Sequence, residues 1–324
     1  MIHQAADLIT KRTFHLTILG SDALVWALND SKIDPSVKAQ LSPIGNAYYQ
    51  YALDGKVGSA ALWRHLKIPS PASKTADSSV QVSQIAQELG FPVMIKLSRS
   101  GGGDGVTLCH SHKEIAAIAL HAPPPYLVEK YIEGEAISVE ALFLQSRLTA
   151  YASSLMTYSP SPHAPSLERI FTPCPEIEPL LQKLGASLQL TGFTNITFIR
   201  TIASRQYLLI ELDFRPNRWI RHSELVGVDW SKALRNPHTP LQKPLSTKMV
   251  RHFPADLWYS MQIKQWNRIF YWLLNKNNSW LSIPFQDPMS LVNGGKYLLQ
   301  KLWRQTIKRP YQKAQKIQNE EAPW

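Results

Sequence analysis

Cysteine is nearly absent: Cys109 and Cys174 are the two in 324 residues, far apart and in no CxxC arrangement. That excludes a disulfide framework and a zinc ribbon, and both thiols are expected to be reduced and structural. No run of about 18 apolar residues occurs, which argues against a membrane-spanning helix. The N-terminus, with His3, Asp7, Lys11 and Arg12, lacks the apolar stretch of a secretory signal. A soluble cytoplasmic protein is expected, with peripheral membrane contact as an added possibility. GxxxxGK[ST], GxSxG and HExxH are all missing, so nothing supports a P-loop, a hydrolase elbow or a zincin helix. His110 and His112 have no third ligand nearby and are read as surface histidines. Acidic residues are scarce in one place only. Residues 243–319 hold 13 Lys+Arg against 2 Asp+Glu, leaving 22 against 22 elsewhere, so the whole formal charge of +11 sits in the last quarter. Such a segment suits an anionic partner, or is simply a solvated face.

What is present is globular: 44% apolar and 18% charged residues, enough length for two packed lobes. Residues 14–28 read as a short β-run, a turn at Gly20 with Asp22 as N-cap, and a helix. A helix over 54–66 stops before Ile68-Pro69-Ser70-Pro71, and the Ser/Ala-rich stretch to Ser79 reads as a loop. Helices are predicted over 80–89, 113–120 and 177–190. Strands are predicted over 93–97, 106–109, 126–131, 136–144, 148–156, 194–202 and 206–213, with a long Pro-rich loop at 159–175.

The stretch FPVMIKLSRSGGGDGV is the most informative. An apolar strand delivers Lys96 to a fixed position, where an unpaired charge would be costly. Gly101, Gly102, Gly103 and Gly105 after Ser100 can close backbone N–H groups over anionic oxygens without Cβ interference. Further on, YLLIELD places Glu211 and Asp213 two apart on one strand, so both carboxylates share a face and suit one hard cation.

Four segments in order, DGKVGSAALWRHLKIPSP, FPVMIKLSRSGGGDGV, YLVEKYIEGE and NITFIRTIASRQYLLIELDFRPN, resemble the ATP-grasp superfamily over about residues 50–230. The resemblance implies an α+β fold in which two lobes with antiparallel sheets clasp ATP, preceded by a truncated α/β piece. The expected division is 1–50 for that piece, 51–127 for the lobe with the glycine-rich lid, 128–242 for the lobe with the metal site, and 243–324 for a basic, Trp-rich helical tail. It implies that Lys56 and Lys96 direct phosphates and that Ser100 to Gly105 cover them. Glu129, Lys130 and Ile132 would meet the adenine, and Glu135 the ribose. Glu211 and Asp213 would bind Mg²⁺ (or Mn²⁺), while Arg215 and Asn217 would stabilise the transferring phosphoryl group. Two departures stand out: Asp104 sits in the lid where relatives often carry a basic residue, and Thr197 stands where they carry a further metal ligand.

The tail has Trp258, Trp266, Trp272, Trp280 and Trp303 among its cations. One helix is expected over 256–274. A basic amphipathic helix is expected over 295–308, and residues 295–309 are the candidate contact with an anionic membrane surface. Aromatics at helical spacing form no stacking platform, which disfavours nucleic acid. Two functions stay open. The first is an ATP-dependent ligase joining a small carboxylate to an amine through an acyl phosphate. The second is a catalytically weak or inactive relative that binds nucleotide and acts at a membrane or partner.

Overall fold

The computed structural model describes residues 1–118, 123–161 and 163–274, together with 283, 288, 289, 292, 293, 295 and 296. The chain divides into two compact units, Met1–Met249 and Val250–Trp324.

The first unit opens with helices α1 (Ile2–Lys11), α2 (Asp22–Asp30) and α3 (Pro35–Leu41), then a 3-10 turn at Ala47–Asp54 and α4 (Lys56–Leu66). Residues 14–20 form no strand, so this region is a helical layer and not the α/β piece expected. Its apolar residues Leu19, Val25, Leu28, Leu41 and Leu53 join the core of the larger sheet, and its one backbone bridge to a neighbour is Ile44 with Leu190 among the described residues. Ser21, and not Asp22, caps α2, its hydroxyl accepting from the Leu24 N–H at 3.3 Å.

Two antiparallel sheets follow. The smaller contains β1 (Ser73–Ala76), β2 (Val93–Leu97), β3 (Val106–Cys109) and β4 (Tyr126–Lys130) in the order β1-β4-β2-β3. The expected loop before Ser79 therefore holds an edge strand, with Ser73 opposite Glu129. One face is covered by α5 (Ser79–Leu89) and α6 (His112–Ala117), through Val82, Ile85, Ala86 and Ile115. At Gly103, where φ is +87°, a side chain would also collide with the carbonyl of His163, so the lid's turn requires glycine there.

The larger sheet contains β5 (Gly134–Leu144), β6 (Arg147–Tyr158), β7 (Glu168–Phe171), β8 (Gly192–Thr201), β9 (Tyr207–Asp213) and β10 (Lys248–Arg251), ordered β10-β7-β6-β5-β8-β9. The expected loop at 159–175 thus contains β7, paired to β6 with Leu155 opposite Ile170. Proline clusters on both sides masked a strand only four residues long. Alternation sorts the sheet's faces. Ile137, Val139, Ala141, Ile196, Phe198 and Leu212 enter the hydrophobic core with α7 (Glu178–Leu188). The opposite face carries two rows in register across β5, β8 and β9: Ser138–Thr197–Glu211 and Glu140–Asn195–Asp213. A bulge leaves Ile210 unpaired between Glu211 and Leu209, which keeps the last two carboxylates on the polar face. Helix α8 (Trp230–Arg235) completes this unit.

The second unit holds α9 (Ala255–Gln262) and α10 (Trp266–Leu274) where one helix was expected, separated by Lys264 at φ +55°. Its described core is built on Asp256, fully buried and accepting from Arg268 at 2.5 Å and from the Trp272 indole at 2.6 Å. The helix expected over 295–308 lies, beyond its first two positions, outside the described residues. Among the described residues no helix is long and apolar enough to cross a membrane.

Candidate functional site

A cavity of about 740 Å³ opens between the two sheets of the first unit, within the size range of small-molecule sites. Its lining includes Lys56, Lys96, Ser100 to Gly103, Glu129 to Ile132, Glu211, Asp213, Arg215 and Asn217. Two expected residues are absent from the lining. Gly105 closes the lid hairpin, its carbonyl accepting from the Leu97 N–H at 2.8 Å. The Glu135 carboxylate, expected at the ribose, is instead held here by Arg200 at 2.7 Å and Arg205 at 3.1 Å, off the cavity lining. Asp104 is exposed and also off the lining, so its charge does not face a ligand there.

Each cation has a defined setting. Lys56 is the first residue of α4, and its ammonium donates to the Ser100 carbonyl and hydroxyl, tying the start of the glycine loop to the helix. Burial lowers its pKa, opposed by the charges of Glu211 and Asp213. Lys96 pairs with Glu129 at 2.5 Å, both nearly buried. Burial raises the Glu129 pKa and Lys96 opposes that shift. The Lys130 ammonium turns away, donating to the carbonyls of Gly90 at 2.8 Å and Phe91 at 3.1 Å, so this residue serves the cavity only with its main chain and stem.

Glu211 and Asp213 face the cavity from β9. Burial raises the Asp213 pKa well above the carboxylate range, and the neighbouring Glu211 charge adds to it. Two carboxylates that resist sharing negative charge form a donor pair a divalent cation would relieve, so these residues fit Mg²⁺. Among the described residues no group of three His, Cys, Asp or Glu could hold a metal. Thr197 stands opposite Glu211 in register.

Sequence reasoning missed four neighbours. Asp22, expected as a helix cap, instead clasps Arg215, with Nε to Oδ1 at 2.6 Å and Nη2 to Oδ2 at 2.7 Å. Arg215 also reaches Asp213 at 2.9 Å. Glu140, 1% exposed, accepts from Asn195 Nδ2 at 2.9 Å and from the Asn217 N–H at 3.3 Å. Burial pushes its pKa up to about 7, against the opposing pull of Arg169. Arg169, 4% exposed, lines the cavity from β7. Burial lowers its pKa to about 10, and Glu140 opposes that shift. The one signal in the sequence was Glu140 itself, a charge inside the apolar run AISVEALFL.

Residues 56–140 match the family model described as the carbamoyl-phosphate synthase L chain, ATP binding domain. Among solved structures, the chain is similar to N5-carboxyaminoimidazole ribonucleotide synthetase from Thermotoga maritima, at 16% identity and a TM-score of 0.55, covering 76% of this chain and 65% of that one. It is also similar to carboxyaminoimidazole ribonucleotide synthase from Aspergillus clavatus complexed with ATP (16%, TM-score 0.51, 71% and 62%). A third is N5-carboxyaminoimidazole synthetase from Staphylococcus aureus (14%, TM-score 0.51, 65% and 58%). The chain spans 58% to 65% of the length of these three solved chains. With two antiparallel sheets around one cavity and a family model that begins at Lys56, the chain has the ATP-grasp fold, that of the superfamily its motifs resemble.

Proposed function

We propose that the chain is an ATP-dependent ligase that joins a small carboxylic acid to an amine, releasing ADP and phosphate. The observation that carries this reading is the gathering in one cavity of Lys56, Lys96, the glycine loop and the Glu211/Asp213 pair, drawn from elements spread over residues 56–213. In this reading the ammonium groups of Lys56 and Lys96 and the loop N–H groups hold the triphosphate. The main chain of residues 129–132 borders the base. Glu211 and Asp213 would hold Mg²⁺, which supplies positive charge between phosphate oxygens. Arg215 and Asn217 flank the phosphoryl group in transfer.

The chemistry has two displacements. A carboxylate oxygen attacks the γ-phosphorus as the bond to the ADP oxygen breaks, giving an acyl phosphate. The amine then attacks the acyl carbon, the carbon–oxygen bond breaks, phosphate leaves and the nitrogen loses a proton. Titration calorimetry with a non-hydrolysable ATP analogue should give binding that strengthens with Mg²⁺ and weakens at least tenfold in Lys96→Ala. Absence of binding would overturn the reading.

A second reading, a nucleotide-binding module without turnover, is favoured by Arg215 being already clasped by Asp22 and by Thr197 in place of a carboxylate. Hydroxylamine trapping separates them, because only the ligase forms a hydroxamate from ATP and an acid.

A further inference from the structure

Of the three arginines that line the cavity, Arg169, Arg215 and Arg218, the first two differ in what they have left to give. Arg215 is taken: Nε and Nη2 donate to Asp22, Nη2 also to Asp213, and Nη1 to the Pro216 carbonyl at 3.4 Å. Arg169 is not. Of its five N–H donors, the Nε–H reaches Ser166 Oγ at 2.7 Å. Nη1 is buried without a hydrogen-bond acceptor, its nearest carboxylate oxygen, Glu140 Oε1, being 3.6 Å away. Among the described residues none accepts from Nη2. Nη1 is closed off and leans on Glu140, so the donor that Arg169 has left for a ligand in the cavity is Nη2.

The surroundings are built to hold it still. Its Cζ lies 4.8 Å from the Trp219 ring centroid, and Trp219 is fully buried. Ser166, which accepts from Nε, belongs to a loop that Arg218 also grips through the Ser166 carbonyl at 3.0 Å. Glu140 is fixed from the other side by Asn195 and the Asn217 N–H, and Asn217 Nδ2 donates to Asn195 Oδ1 at 3.3 Å. This chain of contacts runs from Arg169 to the strand position opposite Asp213. Arg215 is neutralised by Asp22 and Asp213, and Arg169 stands 3.6 Å from Glu140, so what an anion would meet on this wall is the edge of the Arg169 guanidinium.

We infer that Arg169 is the anchor for the carboxylate of the acid substrate, its planar fork accepting the anion beside the phosphoryl-transfer end of the cavity. This rests on the proposed ligase reading and names the residue that selects its acid. Phosphate is the poorer fit here, because the triphosphate already has Lys56, Lys96 and the glycine loop, and a planar guanidinium edge matches a planar carboxylate. Arg169 acts in binding and takes no proton.

The test is calorimetry with formate, acetate, hydrogencarbonate and succinate, each with and without the saturating ATP analogue and Mg²⁺, on wild type, Arg169→Lys and Arg169→Gln. The expected result is binding of at least one anion by wild type, weakened tenfold or more in Arg169→Gln and by less in Arg169→Lys, with the analogue's affinity held within twofold. Equal anion binding in wild type and Arg169→Gln overturns the inference, as does no anion binding to wild type. Should Arg169→Gln fail to fold, Arg169→Lys decides: unchanged affinity overturns it. Because the analogue is measured separately, loss of nucleotide binding would count against the ligase reading, and loss of anion binding alone against Arg169.

Discussion

In the four-stranded sheet Lys96 and Glu129 meet at 2.5 Å on neighbouring strands, whereas in the six-stranded sheet Arg169 and Glu140 stand 3.6 Å apart with a whole strand between theirs. Both pairs are nearly buried beside the same cavity. The tight pair is a direct contact: Lys96 donates to Glu129 Oε1. The loose pair divides the work, with Asn195 and the Asn217 N–H supporting Glu140 and leaving the guanidinium donors over. The closed pair holds the Lys96 ammonium in place before any ligand arrives, while the open one leaves a guanidinium donor over.

Stability measurements can break this comparison. Lys96→Met leaves Glu129 buried without its cation and is expected to cost about 3–5 kcal/mol in urea denaturation at pH 7. Lys96→Met with Glu129→Leu should recover most of that, since replacing both partners removes the uncompensated charge. Arg169→Met should cost less, about 1–2 kcal/mol, because Glu140 keeps two N–H donors and takes a proton near pH 7. Equal costs for the two single substitutions would erase the distinction between the pairs.

Burial in the same neighbourhood has a consequence at His222. This residue is 2% exposed, and burial, then the Arg221 charge, lower its pKa to about 3, with Arg169 and Arg218 contributing. The folded state therefore refuses a proton that the unfolded chain accepts near pH 6.5. Stability from this group is fully present above that pH and is lost as pH falls toward 3, by about 3 kcal/mol between pH 7 and pH 4. Denaturation curves of wild type and His222→Gln across that range should converge as pH falls. Parallel curves would mean that His222 takes a proton in the folded state as readily as in the unfolded chain.

The same contrast decides what the sequence could reveal. Lys96 was legible because its strand is otherwise apolar, and Glu129 lies two residues diagonally across the β2/β4 ladder, so local pattern and pairing agree. Strands β2 and β3 were predicted with the bounds observed, the glycine loop between them leaving no alternative register. The Glu211/Asp213 pair was legible through simple alternation. Arg169 was hidden in a strand flanked by prolines, and its partner lies 29 residues away on a non-adjacent strand. Asp22 was read locally, as a cap, because its real partner Arg215 is 193 residues distant. Side chains that act through long-range contacts leave no periodic trace.

Glu135 offers the smallest effect and the sharpest control. It follows β4 closely in sequence, yet its carboxylate points to Arg200 and Arg205 on the β8/β9 hairpin. The pair is 23% and 39% exposed at its side chains, so solvent screens it, and Glu135→Gln should cost below about 1 kcal/mol. The hydrogen bond from Arg200 lowers the Glu135 pKa, so this small contribution is present near neutral pH and fades as acid protonates the carboxylate. Affinity for the ATP analogue should stay within twofold of wild type, in contrast to the tenfold loss expected in Lys96→Ala. A tenfold loss in Glu135→Gln would show that the carboxylate swings to the ribose when nucleotide binds, and that an exchangeable surface pair can belong to the site.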